Sequence, residues 1–158
     1  MGVSLEAYYI IDQKEVKQYI IENNIDINDW EQCRIVASHF YEKITGESAE
    51  NRNLIYIYNT TNYKWYEIDT DEDDEECKPR HFLYEYHQCN YIRDHKLLKN
   101  LDYSHELSQC LYQIHRPKNA MDVAKAIREY FPDNEYLNQF ADWLEKTAKF
   151  CYNYKLSM

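Results

Sequence analysis

The side chains able to do chemistry crowd into two adjoining stretches of the 158-residue chain. The first is "YEIDTDEDDEECKPRH", Tyr66–His81. It places Asp69, Asp71 and Asp73 at the one-three-five spacing of a calcium loop, where alternate carboxylates converge on one ion. Such a loop also needs glycine at its sixth position and a bidentate glutamate at its twelfth. Asp74 and Arg80 stand there instead. Without the glycine the sharp turn is strained, and a guanidinium cannot ligate calcium, so the pattern argues against a calcium loop.

The second stretch runs from Cys77 to His115 and holds Cys77, His81, His87, Cys89, His95, His105, Cys110 and His115. Structural zinc wants ligand pairs that converge from one turn. The nearest pairs are Cys77 with His81 and His87 with Cys89, and the later residues do not pair at ligand spacing. The expectation is no metal and no cofactor. A zinc-stabilised adaptor is the third reading. For nucleophilic catalysis Cys89 can be the attacking thiol, with His87 or His105 as base. Nothing in the sequence supplies the oxyanion donors such a reaction needs. Cys110, like Cys33 and Cys151, falls on an apolar helical face and reads as a small core residue.

Glycine occurs only at positions 2 and 46. Folds that bring backbone close to a phosphate rely on glycine-rich turns, so nucleotide-dependent enzymes are the class most strongly excluded. No G-x-S-x-G, P-loop or G-x-G-x-x-G is present. The expectation is that the chain is not an enzyme. A Cys/His-dependent enzyme centred on Cys89 is the alternative.

The charge is unevenly placed. Eight of the 28 acids lie in Glu67–Glu76, which has no lysine or arginine; outside it, 20 acids face 18 bases. The chain is thus nearly neutral apart from one anionic segment. A run of this kind either sits in water or steers a cationic partner by its long-range field. There is no Lys/Arg cluster to meet a phosphate backbone, which argues against direct nucleic-acid binding. The 17 tyrosines could stack on bases, but those nearest the run stand in acidic company. Tyrosine and tryptophan also serve protein interfaces, because they bury large area at low entropic cost.

These residues need a frame. "VSLEAYYII" reads as a strand. Asp12 then caps a helix to about Asn24, with Glu15 completing a capping box. Asn28 caps a second helix, with Trp30, Cys33, Ala37, Phe40, Tyr41 and Ile44 on one face, ended by Gly46. Leu54–Tyr58 and Tyr63–Ile68 read as a β-hairpin around "NTTN". Its faces carry Ile55 and Ile57 on one side and Leu54, Tyr56 and Tyr58 on the other. The acidic run then reads as a solvated loop, and His81–Gln88 alternates like a strand. Ser104 caps a helix carrying Leu107, Cys110, Leu111 and Ile114. Asn119 caps the next, with Met121, Ala124, Ile127 and Phe131 facing in. A last helix opens at Asp133 or Asn134 and carries Leu137, Phe140, Trp143, Leu144, Ala148 and Cys151.

The fold class expected is α+β: a small antiparallel sheet, made of the N-terminal strand plus the hairpin, packed with helices, and a helical C-terminal third. One domain over residues 1–158 is expected, with any subdivision near the acidic loop at 70–80. The five cysteines are odd in number and widely spaced. With no signal-peptide pattern at the N-terminus, they point to free thiols in the cytoplasm. No run approaches the ~20 apolar residues of a membrane span.

In composition, though not in motif, the chain resembles small acidic proteins that neutralise another macromolecule: toxin immunity proteins, antitoxins, phage-borne inhibitors and nucleic-acid mimics. The function expected is a cytosolic binding protein that inhibits or regulates a basic protein partner by steric blockade. It would dock through Asp71, Glu72, Asp73, Asp74, Glu75 and Glu76, with Tyr56, Tyr58 and Trp65 beside them. Oligomeric state is not readable from the sequence.

Overall fold

A computed structural model of the chain describes residues 2–50, 54–57, 81–90, 92, 111 and 114–157; for residues 55–57, 81 and 82 the description is of the backbone. The fold is α+β. In chain order the described elements are β1 (Ser4–Ile11), α1 (Gln13–Glu22), α2 (Trp30–Thr45), β2 (Leu54–Ile57), β3 (His81–Gln88), α3 (Pro117–Tyr130), α4 (Glu135–Ala148) and β4 (Asn153–Ser157). The strands follow the order β2-β3-β1-β4. β1 pairs antiparallel with β4, Leu5 opposite Leu156 and Ala7 opposite Tyr154. β2 pairs antiparallel with β3, Leu54 opposite Glu85 and Ile57 opposite Phe82.

The expected hairpin is met in part. Leu54–Ile57 is a strand, and its described partner is β3; Tyr63–Ile68 lies outside the described residues. β1 shows why period two was readable, since Leu5, Ala7, Tyr9 and Ile11 are buried while their neighbours are half-buried.

By compactness the chain divides into two units. One is Tyr9–Glu85. In it α1 starts on Asp12, whose carboxylate accepts from the Lys14 N–H at 2.8 Å. Among the described residues of α1 only Val16 is fully buried, while α2 buries Cys33, Val36, Ala37, Phe40 and Tyr41. Tyr9 meets Tyr41 edge to face at 6.0 Å, and Tyr19 stacks on His39 at 4.1 Å. Gly46 ends α2 at φ 72°, in the left-handed region where a β-carbon is strained, and its N–H donates to the Glu42 carbonyl at 2.8 Å.

The cap of α2 corrects the expectation. It is Asp29, not Asn28: the Asp29 carboxylate accepts from Glu31 N–H at 3.0 Å and from Gln32 Nε2 at 3.1 Å. Asn28 instead donates its N–H to Asp26 at 2.9 Å. Both positions are followed three residues later by a polar side chain. Either residue type caps well, so the sequence left the choice open; the chain enters the helix one residue later, with Asp29 extended at φ −94° and ψ 113°.

The other unit is Met1–Tyr8 with Tyr86–Met158. Here Pro117 opens α3, its fixed φ and missing donor suiting that position. Asn119 is not the cap but sits inside the first turn, where its side-chain oxygen accepts from the Arg116 N–H at 3.0 Å. Ala120, Val123, Ala124 and Ile127 form the buried face, and Met121, expected to face in, is exposed. Asn134 caps α4 by accepting from the Leu137 N–H at 3.1 Å, and α4 buries Leu137, Phe140, Ala141, Trp143 and Leu144. A buried side chain of this size contributes about 1.5–3 kcal/mol.

The chain does not end in helix. α4 stops at Ala148, and Phe150 and Cys151 both donate to the Thr147 carbonyl in a tightened last turn. β4 follows, with Tyr154 buried and its hydroxyl 2.7 Å from that of Thr147. Cys151 continues the helical spacing of Trp143, Leu144 and Ala148, which hid the stop. It is buried from beyond the helix end.

Candidate functional site

Most of the residues expected to dock a partner lie outside the described residues. Tyr58, Trp65, Asp71, Glu72, Asp73, Asp74, Glu75 and Glu76 lie outside the described residues, as do Cys77, His95, His105 and Cys110. Tyr56 belongs to β2 by its backbone, opposite Leu83, and its side chain is likewise outside.

Of the alternative catalytic centre, Cys89 and His87 are among the described residues and His105 is not. Cys89 follows the end of β3 and is completely buried. Its N–H donates to the Val3 carbonyl at 2.6 Å, and its thiol points back to the His87 carbonyl at 3.4 Å. Burial pushes the thiol pKa up to about 12, with a small opposing pull from the Leu5 backbone. A nucleophilic cysteine needs access, and Cys89 is buried. The thiol contact with His87 is to its backbone and not its ring. The His87 ring packs against Phe140 at 5.2 Å, Trp143 at 5.6 Å and Tyr136 at 6.1 Å. Its Nδ1 is buried without a hydrogen-bond partner among the described residues. Burial lowers its pKa, offset in part by the Gln88 backbone.

The other described thiols are similar. Cys151 is buried and pushed up to about 11, chiefly by that burial. Cys33 is also raised, first by burial and then by the charges of Asp29 and Asp26. Among the described residues no group of three or more His, Cys, Asp or Glu is gathered to hold a metal ion. No described helix is long and apolar enough to cross a membrane.

A different surface emerges at the corner between α1 and α2, and it was not foreseen. Trp30 opens α2 and was expected on its inward face, yet it is 58% exposed. Ile21 near the end of α1 is 75% exposed, Ile35 53% and Ile27 39%. The turn beneath them is tied by its own polar groups. Asn23 donates from its backbone and its amide to the Tyr19 carbonyl, at 3.0 and 2.9 Å. Asn24 takes φ 51°, a left-handed conformation that asparagine tolerates. Ile25 N–H donates to Ile20 at 3.0 Å, and Asp26 N–H to the Gln32 side-chain oxygen at 2.6 Å. The Cys33 thiol donates to the Ile27 carbonyl at 3.4 Å. The run of Asn and Asp in "NNIDINDW" was the signal for a self-bonded turn. The spacing from Trp30 to Cys33 and Ala37 gave the helix face but not how far its cover extends.

Compared with protein-family models, with curated proteins and with solved structures, the chain finds no match in any of the three.

Proposed function

We propose that this chain is a binding protein that inhibits or regulates a basic macromolecular partner by occupying its surface. The observation that carries the reading is the charge: eight carboxylates in Glu67–Glu76, in a chain otherwise close to neutral. A concentrated field of one sign raises encounter rates with a partner of the other sign more than scattered charges do. The surroundings of Cys89 support the same reading. Its burial raises the thiol pKa and so disfavours the thiolate a nucleophile needs.

Two measurements test the proposal. A partner purified on this chain from the native host should associate more slowly when Asp71, Glu72, Asp73 and Asp74 become Asn and Ser, with a flatter dependence on salt. Binding unchanged from low to high salt in both proteins removes the run from the interface. In the second, no thiol of the native protein should react with iodoacetamide at pH 6 faster than a free model thiol. Rapid labelling of Cys89, abolished by His87→Ala or His105→Ala, would replace the binder with a Cys/His enzyme.

A further inference from the structure

We infer that the α1–α2 corner centred on Trp30 is a docking surface for a basic protein partner, one whose contact face is apolar at its centre and cationic at its rim. The inference rests on the binding-protein reading and adds a second contact region to the acidic run. Isolated exposed apolar residues are ordinary, but four in residues 21–35, including a tryptophan, are not. Tryptophan is the side chain most enriched among those that dominate binding energy.

The frame under these side chains is already fixed. Bonds from Asn23, Ile25, Asp26, Asn28 and Cys33 satisfy the turn within itself, so little ordering is left to do on binding. Ile21 joins the turn through its backbone, its carbonyl accepting from the Asn24 N–H at 3.3 Å, while its side chain and that of Trp30 are exposed. The rim chooses the occupant. Within residues 21–35 stand Glu22, Asp26, Asp29 and Glu31 against the single cation Arg34, with Lys17 one turn before Ile21. With Glu22, Asp26 and Glu31 exposed against Arg34, the segment carries net negative charge that complements a cationic partner and repels a second copy of itself.

The test uses three synthetic helices of about five turns each. One carries a leucine stripe with lysines around it; in the second glutamates replace the lysines; the third keeps the lysines and replaces the leucines with serine. They are titrated against the full chain, against an Ile21→Ser/Trp30→Ser variant, and against the chain with Asp71, Glu72, Asp73 and Asp74 neutralised. The leucine–lysine helix should bind the wild-type chain and shift the amide resonances of Ile21, Ile27 and Trp30. The corner variant should bind it about tenfold or more weaker, while keeping the wild-type circular dichroism and melting temperature. The neutralised-run variant should keep the corner shifts.

Equal binding by the corner variant overturns the inference. If the run variant alone loses binding, the corner falls and the binding-protein reading stands. If neither lysine helix binds the wild-type chain, both fall. A concentration-dependent dimer that disappears in the corner variant would also overturn the inference, making the occupant a second copy.

Discussion

The corners at α1–α2 and α3–α4 join two helices apiece, and they direct their polar side chains differently. At α3–α4, Asn138 on α4 donates to the Phe131 carbonyl at 2.8 Å and to the Asn134 carbonyl at 2.7 Å. Arg128 on α3 donates to Asn138 at 2.9 Å and to Glu145 at 2.9 Å, and pairs with Asp142. Polar groups there clamp one helix to the other, and the large apolar groups of α4 turn inward. At α1–α2 the hydrogen bonds of the corner stay within the turn, and the ion pair between the helices, Lys43 with Glu15 at 3.0 Å, lies away from it. Its apolar groups are left outward, with Trp30 exposed where Trp143 is buried. A corner whose polar groups clamp its helices reads as structure, whereas one whose bonds stay within the turn leaves its apolar side chains as surface.

The comparison breaks most sharply at the two tryptophans. Trp143 stacks on Phe140 at 6.3 Å and meets Tyr154 edge to face at 6.0 Å. Trp143→Ala should cost about 3–5 kcal/mol in urea-melt stability, as large-to-small core changes do. A loss below about 1 kcal/mol would place that face at an interface instead. Asn138→Ala comes next. It strips the α3–α4 corner of its central donor but leaves carbonyls that water can reach, so about 1–2 kcal/mol is expected. An equal loss from Asn23→Ala at α1–α2 would erase the distinction between the corners.

A smaller effect is expected from His87, which the α4 aromatics enclose. Its native pKa lies below the ordinary 6.5, mainly through burial. Between 6.5 and that lower value the unfolded chain binds a proton the native state does not. Stability should therefore fall as pH drops through this window and level off below it. His87→Phe should reduce the difference in urea midpoint between pH 7.5 and pH 5. An undiminished difference would assign the acid sensitivity elsewhere. Least of all is expected from Trp30→Ala, within about 0.5 kcal/mol, because an exposed side chain has little packing to lose. A cost comparable to that of Trp143→Ala would put Trp30 in a core.

What was legible in the sequence followed from local rules. Gly46, Asp12 and Asn134 fall where helix ends need them, and β1 alternates along its length, so these elements were readable from composition and period. The α+β class followed from them. What was not legible depends on partners distant in sequence. Trp30 and Met121 fit an inward face by spacing, but exposure is set by what covers a helix, which spacing does not encode. β4 was hidden because Cys151 is buried by the fold around it, not by the helix it seemed to extend. Cys89 beside His87 looked like a reactive pair in one dimension. In three, the sulfur faces a backbone carbonyl and the imidazole faces aromatic rings. For the acidic run, the sequence carries the argument by itself.

The pairing of β1 with β4 also bears on the order in which the chain assembles. Ser4 lies opposite Ser157, so almost the whole described sequence intervenes between the two strands. Compared with a ten-residue hairpin, closing such a loop costs roughly 2 kcal/mol more in chain entropy. Residues Tyr9–Glu85, by contrast, form their compact unit from contiguous sequence, nested between the segments of the other. Contacts local in sequence form faster than those that span it. The nested unit should therefore gather first during synthesis and refolding, leaving the first strand to wait for its C-terminal partner. Pulse-labelled hydrogen exchange would show this as early protection of α2 and late protection of the Tyr152 amide, which donates to the Tyr8 carbonyl at 2.7 Å. Simultaneous protection would mean that the nested unit and the β1–β4 pairing form in one step.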